Sequence, residues 1–261
     1  MKYYLNCAQC FREQGIPSFE FAEAEIDNDF HFYMTCSKGH KTLTLLNAER
    51  FEILFDFGCE AFLDGYYRES VSSIAAAVER YHEFFIKVLM LHNGISEANI
   101  DEIWKLVATQ SERQLGAFYF LYLRELKVLP DSFIKKNTAF RNKVIHNGVF
   151  PTKEETIKYN EEAFKHIVEG LKILKRDYLE SVELLTRINL RKAIPQDNKC
   201  LVSTMSNLST IGMAFDEKNN ITKSFAEVLV EFRERIENMQ NIPKVSKYAG
   251  YLKKLLMLKI N

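Results

Sequence analysis

Apolar side chains recur at two different spacings along the chain. In FEFAEAEID and FHFYMT they alternate with polar side chains, which is the period of β-strands, and the turn signal Asp27-Asn28-Asp29 separates the two segments. After Asn47 the spacing changes to every third or fourth residue, which is typical of amphipathic helices. The pattern therefore predicts a mainly α fold, in which a small β module precedes a helical bundle.

Turn and capping signals divide the helical part into separate helices. Asp64-Gly65, His92-Asn93-Gly94 and Asn147-Gly148 predict helix ends, because glycine suits the left-handed residue that commonly follows a helix. Thr152 and Glu155 have the spacing of a capping box at a helix start. We expect three parts: a zinc-ribbon-like module, a bundle of about four or five helices and a C-terminal helical extension, over residues 1–48, 49–190 and 191–261.

Charge and composition set limits on the partners. Lys plus Arg and Asp plus Glu number 35 each, so no net positive charge indicates a nucleic-acid partner. The last segment, YLKKLLMLKI, is basic and apolar, which suits either docking on the body or contact with nucleic acid or a membrane surface. The sequence has no apolar run long enough to span a membrane and no secretory signal pattern. We therefore expect a cytoplasmic protein whose five cysteines are reduced.

Two pairs of metal-ligand side chains flank the predicted strands. Cys7 and Cys10 form C-x2-C, while Cys36 and His40 form C-x3-H, and such half-sites together can hold one tetrahedral Zn²⁺. With four protein ligands the zinc would be structural, because no coordination position stays open for substrate. His31 is an alternative to His40 as the fourth ligand. Alternatively, the cysteines are buried apolar side chains without a metal, as is expected of Cys59 and Cys200.

The segment FRNKVIHNG, residues 140–148, gathers side chains that can act on a phosphate. Arg141 can bind phosphate with two hydrogen bonds, and His146 near a helix C-terminus can act as a general acid or base. Asn142 and His146 are four residues apart and share a helix face, whereas Arg141 lies about 140° from His146 on a regular helix. The surrounding lysines, including Lys136 and Lys143, would favour a polyanion.

This segment, which follows a helical stretch with AVERYHEFFIK, resembles the R-x4-6-H motif of the HEPN family (higher eukaryotes and prokaryotes nucleotide-binding domain). The resemblance covers about residues 49–190. It implies a helical bundle that pairs as a homodimer with a composite active site, metal-independent RNA cleavage in many members, and an acidic partner for the motif. Glu79 is the favoured acidic residue, with Glu83 as the second candidate. Gly148 stands where HEPN toxins paired with a nucleotidyltransferase often have tyrosine, which argues against that pairing.

These observations favour an endoribonuclease with Arg141, Asn142, His146 and Glu79 as catalytic residues and Lys136 and Lys143 as substrate-binding residues. The resemblance suggests a toxin or antiviral effector controlled by an inhibitory or activating protein. The alternative is a non-catalytic scaffold that binds a nucleotide or protein, in which Arg141 only pairs with Glu79. A zinc-ribbon transcription regulator is less favoured, because residues 1–47 have mixed charge. His166 is expected on the surface of a long helix.

Overall fold

A computed structural model describes residues 3–15, 21–195, 201–206 and 209–241 of the chain. The described residues group into two compact units: a sheet unit of residues 3–15, 21–47, 190–195, 201–206 and 231–241, and a helical unit of residues 48–189 and 209–230. The mainly helical architecture with a small sheet agrees with the pattern in the sequence. Cys200 and the basic segment 242–261 lie outside the described residues.

Among the described residues, the sheet unit holds a five-stranded sheet and a short helix that follows the first strand. The strands follow each other in space in chain order, and the first four are antiparallel to one another. The elements are β1 Tyr3–Asn6, α1 Ala8–Gln14, β2 Phe21–Ile26, β3 His31–Thr35, β4 Lys41–Leu46 and β5 Leu201–Met205. The predicted strand pair around Asp27-Asn28-Asp29 is β2 and β3, in which Ala24 lies opposite Met34.

The fifth strand comes from the part of the chain that was expected to be a helical extension. β5 pairs in parallel with β4, with Leu43 opposite Val202, and the Thr44 and Ser203 hydroxyls are 3.2 Å apart. The prediction of a wholly helical extension after residue 190 is therefore wrong at residues 201–205. A strand of five residues gives little signal by itself, and its pairing with residues far away in the chain has no local signature.

The remaining helices follow β4 along the chain. They are α2 Arg50–Leu63, α3 Tyr67–His92, α4 Glu97–Lys105, α5 Ser111–Leu126, α6 Phe133–Ile145, α7 Lys153–Asp177, α8 Leu179–Ala193 and α9 Phe225–Asn241, with a 3-10 turn at Gly212–Ala214. None of the helices in the described ranges has the length and apolar content needed to cross a membrane.

The predicted helix boundaries are confirmed by the backbone. Gly65, Gly94 and Gly148 follow α2, α3 and α6 with φ values of 81°, 77° and 68°, which are left-handed conformations that glycine adopts without steric strain. The capping box is formed as well: Glu155 N–H donates to Thr152 Oγ1 at 3.2 Å, and Thr152 N–H donates to Glu155 Oε2 at 2.8 Å. These two bonds satisfy amide groups that the first turn of α7 leaves without helical partners.

Helix α3 is the centre of the helical unit and packs against α2, α5, α6 and α7. Its apolar side chains surround the helix rather than forming one stripe, and Val71, Ile74, Phe85 and Leu89 are almost fully buried. Such a helix needs neighbours on several faces, because each large apolar side chain contributes about 1.5–3 kcal/mol only when it is buried. The packing of α6 and α7 on α3 positions the side chains of the pocket described below.

Candidate functional site

Cys7, Cys10, Cys36 and His40 come together in the sheet unit and could hold a metal ion. Cys7 is the N-cap of α1, and its Sγ accepts a hydrogen bond from Cys10 N–H at 3.5 Å. Cys36 and His40 close the β3–β4 hairpin, in which Gly39 has a φ of 80° and donates its N–H to Cys36 O at 2.9 Å. The first pair therefore lies on a short helix that the sequence pattern did not predict, and the second lies in a tight turn.

The spacing of the ligand atoms fits a tetrahedral ion. All four lie within 4.8 Å of one another. A Zn–S bond of about 2.3 Å places the sulfur atoms of a tetrahedron about 3.8 Å apart. Cys10 Sγ and Cys36 Sγ are 3.8 Å apart, and His40 Nδ1 lies 3.8 Å from Cys7 Sγ and 3.3 Å from Cys10 Sγ. Three thiolates and one imidazole are a typical ligand set for structural zinc.

The surroundings of the cluster select His40 over His31 as the fourth ligand. His40 Nε2 lies 3.4 Å from Glu13 Oε1, so the carboxylate holds the ring with Nδ1 toward the sulfur atoms. Both ring nitrogens of His31 are engaged elsewhere, with Asp27 Oδ2 at 2.8 Å and the backbone carbonyl of Ala193 at 2.7 Å. Burial, assisted by Cys7 and Cys36, raises the pKa of Cys10 to about 12. A bound cation would have to displace that proton.

Two of the residues singled out on α6 border a pocket between α3, α5, α6 and α7. Its empty volume is about 620 Å³, part of which is open to solvent. Arg141 and Asn142 line one side, and Glu79 of α3 and Tyr159 of α7 line others. Burial raises the pKa of Tyr159 above its ordinary value, while Arg141 and Glu79 act on it in opposite directions. The Tyr159 hydroxyl therefore stays protonated at neutral pH.

Arg141 is held in place by two partners within the pocket. One terminal nitrogen pairs with Glu79 Oε1 on α3, and the other donates to Asn142 Oδ1 at 3.1 Å. A guanidinium has five N–H donors. The described residues accept from two of them, so three remain for a ligand. The structure thus brings Glu79, Arg141 and Asn142 together, and the side chains of Arg141 and Glu79 are 23% and 31% exposed.

His146 lies outside this group. It is the C-cap of α6, its backbone N–H donates to Asn142 O at 2.9 Å, and its side chain is exposed rather than part of the pocket wall. Lys136 and Lys143 are exposed on the same helix. Within one chain, therefore, Arg141 and Asn142 reach the pocket while His146 and the two lysines face solvent.

A histidine that the sequence pattern did not single out as functional, His82, lies at the same pocket and contacts a second one, His166. Their Nε2 atoms are 2.9 Å apart. The expectation that His166 is on the surface is wrong: it is 5% exposed, because that face of α7 packs against α3. Nδ1 of His166 lies 2.6 Å from Asp131 Oδ2. The available signal was the three-residue spacing from Glu79 to His82, which places both on one face of α3.

Comparison with known proteins gives no family assignment, because no family model, no curated protein and no solved structure matches this chain.

Proposed function

We propose that this protein is a metal-independent endoribonuclease of the HEPN type. The observation that supports the proposal best is Arg141, which Glu79 and Asn142 hold at the pocket with three N–H donors left over. A phosphodiester accepts such donors in pairs, and the interaction strengthens as charge develops on the phosphorus oxygens. Exposed Lys136 and Lys143 on the same helix would hold the neighbouring phosphates of an RNA strand.

The proposed reaction needs one base and one acid. His146 of one copy removes the proton from the ribose 2′-hydroxyl, and the oxygen attacks the adjacent phosphorus. His146 of a second copy protonates the leaving 5′-oxygen, so the products carry 2′,3′-cyclic phosphate and 5′-hydroxyl ends. Exposure of His146 at the end of α6 suits a residue that serves a site shared by two copies. Asn142 orients the phosphate, and Glu79 fixes the Arg141 guanidinium.

A homodimer follows from this scheme. Large apolar side chains are exposed close to the pocket helices: Phe120 on α5 is 79% exposed, and Phe150, just after α6, is 83% exposed. Aromatic rings of this kind commonly anchor interfaces. We expect Phe120→Asp or Phe150→Asp to shift the protein to a monomer in light scattering at micromolar concentration. The same change at Tyr66, an exposed ring in the α2–α3 turn, should leave a dimer.

We propose that the four-ligand cluster of Cys7, Cys10, Cys36 and His40 holds a structural zinc ion. The site would be closed by protein ligands, so its contribution is to the folding of the sheet unit. The sheet unit would then present the RNA or sense an activating or inhibitory protein. In this scheme the protein acts in the cytoplasm as a toxin or an antiviral effector.

The test compares purified wild type, His146→Ala and Arg141→Ala on tRNA and total RNA without added divalent metal. We expect cuts with cyclic-phosphate ends from the wild type and a loss of about 10²-fold or more from each variant. His92→Ala is the matched control, since His92 is also exposed at a helix C-terminus but does not line the pocket. Equal cleavage by wild type and His146→Ala would refute this role for His146.

A second function is favoured by the ion pair itself. Glu79 already neutralises Arg141 within one chain, which suits a scaffold that binds a nucleotide or a protein without cleaving RNA. In that case the wild type leaves RNA intact but binds a nucleoside phosphate in calorimetry. Arg141→Ala would then lose that binding, whereas His146→Ala would retain it.

A further inference from the structure

A buried chain of three side chains connects the pocket with the surface. His82 and His166 are 3% and 5% exposed, their Nε2 atoms are 2.9 Å apart, and His166 Nδ1 is 2.6 Å from Asp131 Oδ2. Asp131 is 47% exposed, so the chain begins in solvent and ends at the pocket wall with His82. Aromatic rings fix both imidazoles: Phe118 lies 4.1 Å from His82, and Phe133 stacks on His166 at 5.2 Å.

The hydrogen-bond polarity of this chain follows from its carboxylate end. An ionised Asp131 only accepts, so His166 donates its Nδ1–H to Asp131 and has a lone pair on Nε2. His82 must then donate its Nε2–H to that lone pair, which leaves Nδ1 of His82 as an acceptor. Among the residues that the structure describes, none forms a hydrogen bond with His82 Nδ1. With both imidazoles neutral, His82 therefore has a basic nitrogen, and His82 is a residue of the pocket wall.

We propose that His82 is a proton-transfer group of the pocket, and that His166 and Asp131 are positioning residues that carry its proton toward solvent. This inference rests on the proposed ribonuclease function where it identifies the proton donor as a ribose hydroxyl. It moves proton transfer at the ribose hydroxyl from His146 to a group that already lies within the pocket of a single chain.

The transfer balances without any further reactant. The 2′-hydroxyl O–H bond breaks and a proton bonds to His82 Nδ1. The Nε2–H bond of His82 breaks and the proton bonds to Nε2 of His166. The positive charge is then on His166, next to the Asp131 carboxylate, and His82 is neutral again. When the leaving oxygen takes up a proton, the same steps run in reverse.

The burial of His82 explains why a second imidazole is needed. Burial, with a smaller effect from His166, lowers the pKa of His82 well below its ordinary value. A lone imidazole there would hold a proton poorly, whereas His166 has the Asp131 carboxylate 2.6 Å from its Nδ1. Burial acts to raise the pKa of Asp131, but the hydrogen bond and charge of His166 outweigh it and the net shift is downward. The pair thus places the charge where a counter-ion exists.

Other ionisable groups on the neighbouring helices either line the pocket beside His82 or interact with Asp131. The first set is Glu79, Glu112, Arg141 and Tyr159, and the second is Tyr81, Tyr119, Tyr122 and Lys165. Asp131 is the group to change, because it is half-exposed and its replacement leaves the packed rings in place.

The Asp131→Asn variant should exchange donor and acceptor in both hydrogen bonds, the one between residue 131 and His166 and the one between His166 and His82. Oδ1 of residue 131 accepts from Phe133 N–H at 2.8 Å, which keeps an oxygen on that side and turns the new NH₂ toward His166. His166 Nδ1 must then accept, its Nε2–H donates to His82, and His82 carries its proton on Nδ1. Nitrogen-15 NMR of histidine-labelled protein measures these tautomers directly, with His82→Gln and His166→Gln used for assignment.

We expect His82 protonated on Nε2 in the wild type and on Nδ1 in Asp131→Asn, with no change in the exposed control Asp177→Asn. Asp131→Glu should restore the wild-type tautomers. A wild-type His82 protonated on Nδ1, or unchanged tautomers in Asp131→Asn, would overturn the proposal. This measurement requires no activity. It therefore tests the donor and acceptor roles of His82 and His166 even if the wild type leaves RNA intact and the ribonuclease function fails.

If the wild type cleaves RNA, the rate gives the second readout. Asp131→Asn should cleave about 10²-fold more slowly and lose the acidic limb of the pH–rate profile, because His82 no longer presents a base. Asp131→Glu should recover both the rate and the profile. An Asp131→Asn variant that cleaves at the wild-type rate with an unchanged profile would show that the chain is only structural.

Discussion

Replacing Glu49 by glutamine should stabilise the helical unit relative to the wild type by less than about 1 kcal/mol at pH 5 and by about 3 kcal/mol at pH 8. Glu49 precedes α2, and its carboxylate accepts hydrogen bonds from Thr186 Oγ1 at 2.9 Å and Asn189 Nδ2 at 2.8 Å on α8. Burial raises the pKa of Glu49 to about 7, although both hydrogen bonds act to lower it, and Glu52 adds to the increase. The folded chain therefore favours the protonated carboxyl.

The size and sign of the effect follow from the two pKa values. The ordinary pKa of a glutamate is 4.5, and one pKa unit corresponds to about 1.4 kcal/mol. Because the pKa is higher in the folded chain, the contribution of Glu49 to stability is fully present below about pH 4.5. It is lost as the pH rises through about 7, which amounts to about 3 kcal/mol. A glutamine stays neutral, and its amide can still pair with Thr186 and Asn189.

Urea unfolding of wild type and Glu49→Gln, from pH 5 to pH 8, measures this difference. Trp104, the one tryptophan of the chain, lies on α4 and reports on the helical unit. The variant should gain relative stability with increasing pH, while the exposed control Glu217→Gln should follow the wild type. A difference that is independent of pH, or a wild type that becomes the more stable protein at pH 8, would refute the reasoning.

Three further outcomes follow from the packing and the metal site. A Cβ at Gly170 would lie 1.6 Å from the Tyr81 hydroxyl oxygen, so Gly170→Ala should lower the free energy of unfolding by about 1–3 kcal/mol in urea titrations. Gly116→Ala, with nothing within 4 Å, should instead be neutral or raise stability by up to about 1 kcal/mol; an equal loss in both would contradict the overpacking argument. Elemental analysis should find about one zinc per wild-type chain and none in Cys36→Ser, while Cys59→Ala keeps its zinc because Cys59 lies outside the cluster.

The cluster of Cys7, Cys10, Cys36 and His40 shows what the sequence can predict. The C-x2-C and C-x3-H spacings are sufficient to identify all four side chains, because each pair forms within one local turn. The choice between His40 and His31 depends on the fold. His31 lies in a strand, where Asp27 and the carbonyl of Ala193 take up its ring nitrogens, and the second of these partners is distant along the chain.

The pocket includes a contact that could not be predicted from the sequence. Arg141 and Asn142 are neighbours on α6, so their association is visible in the sequence, and Glu79 is singled out through the resemblance to a family. His82 and His166 give no such signal, because each looks unremarkable within its own helix. Their contact depends on the packing of α7 against α3, which no local spacing encodes. The same reasoning applies to β5, whose partner strand is distant in sequence.

The pocket wall takes its guanidinium and its imidazole from different helices, which the segment 140–148 does not suggest. The guanidinium of Arg141 comes from α6, and its orientation is set by Glu79 on α3. The nearest imidazole in the pocket wall is one helical turn further along α3, at His82, and its hydrogen-bond polarity is set by α7 and by the loop before α6. A phosphate bound at Arg141 would therefore meet an acceptor controlled by three other parts of the fold. The proposed chemistry consequently depends on the packing of α3 against α6 and α7, because α6 alone would supply only the guanidinium that binds the phosphate.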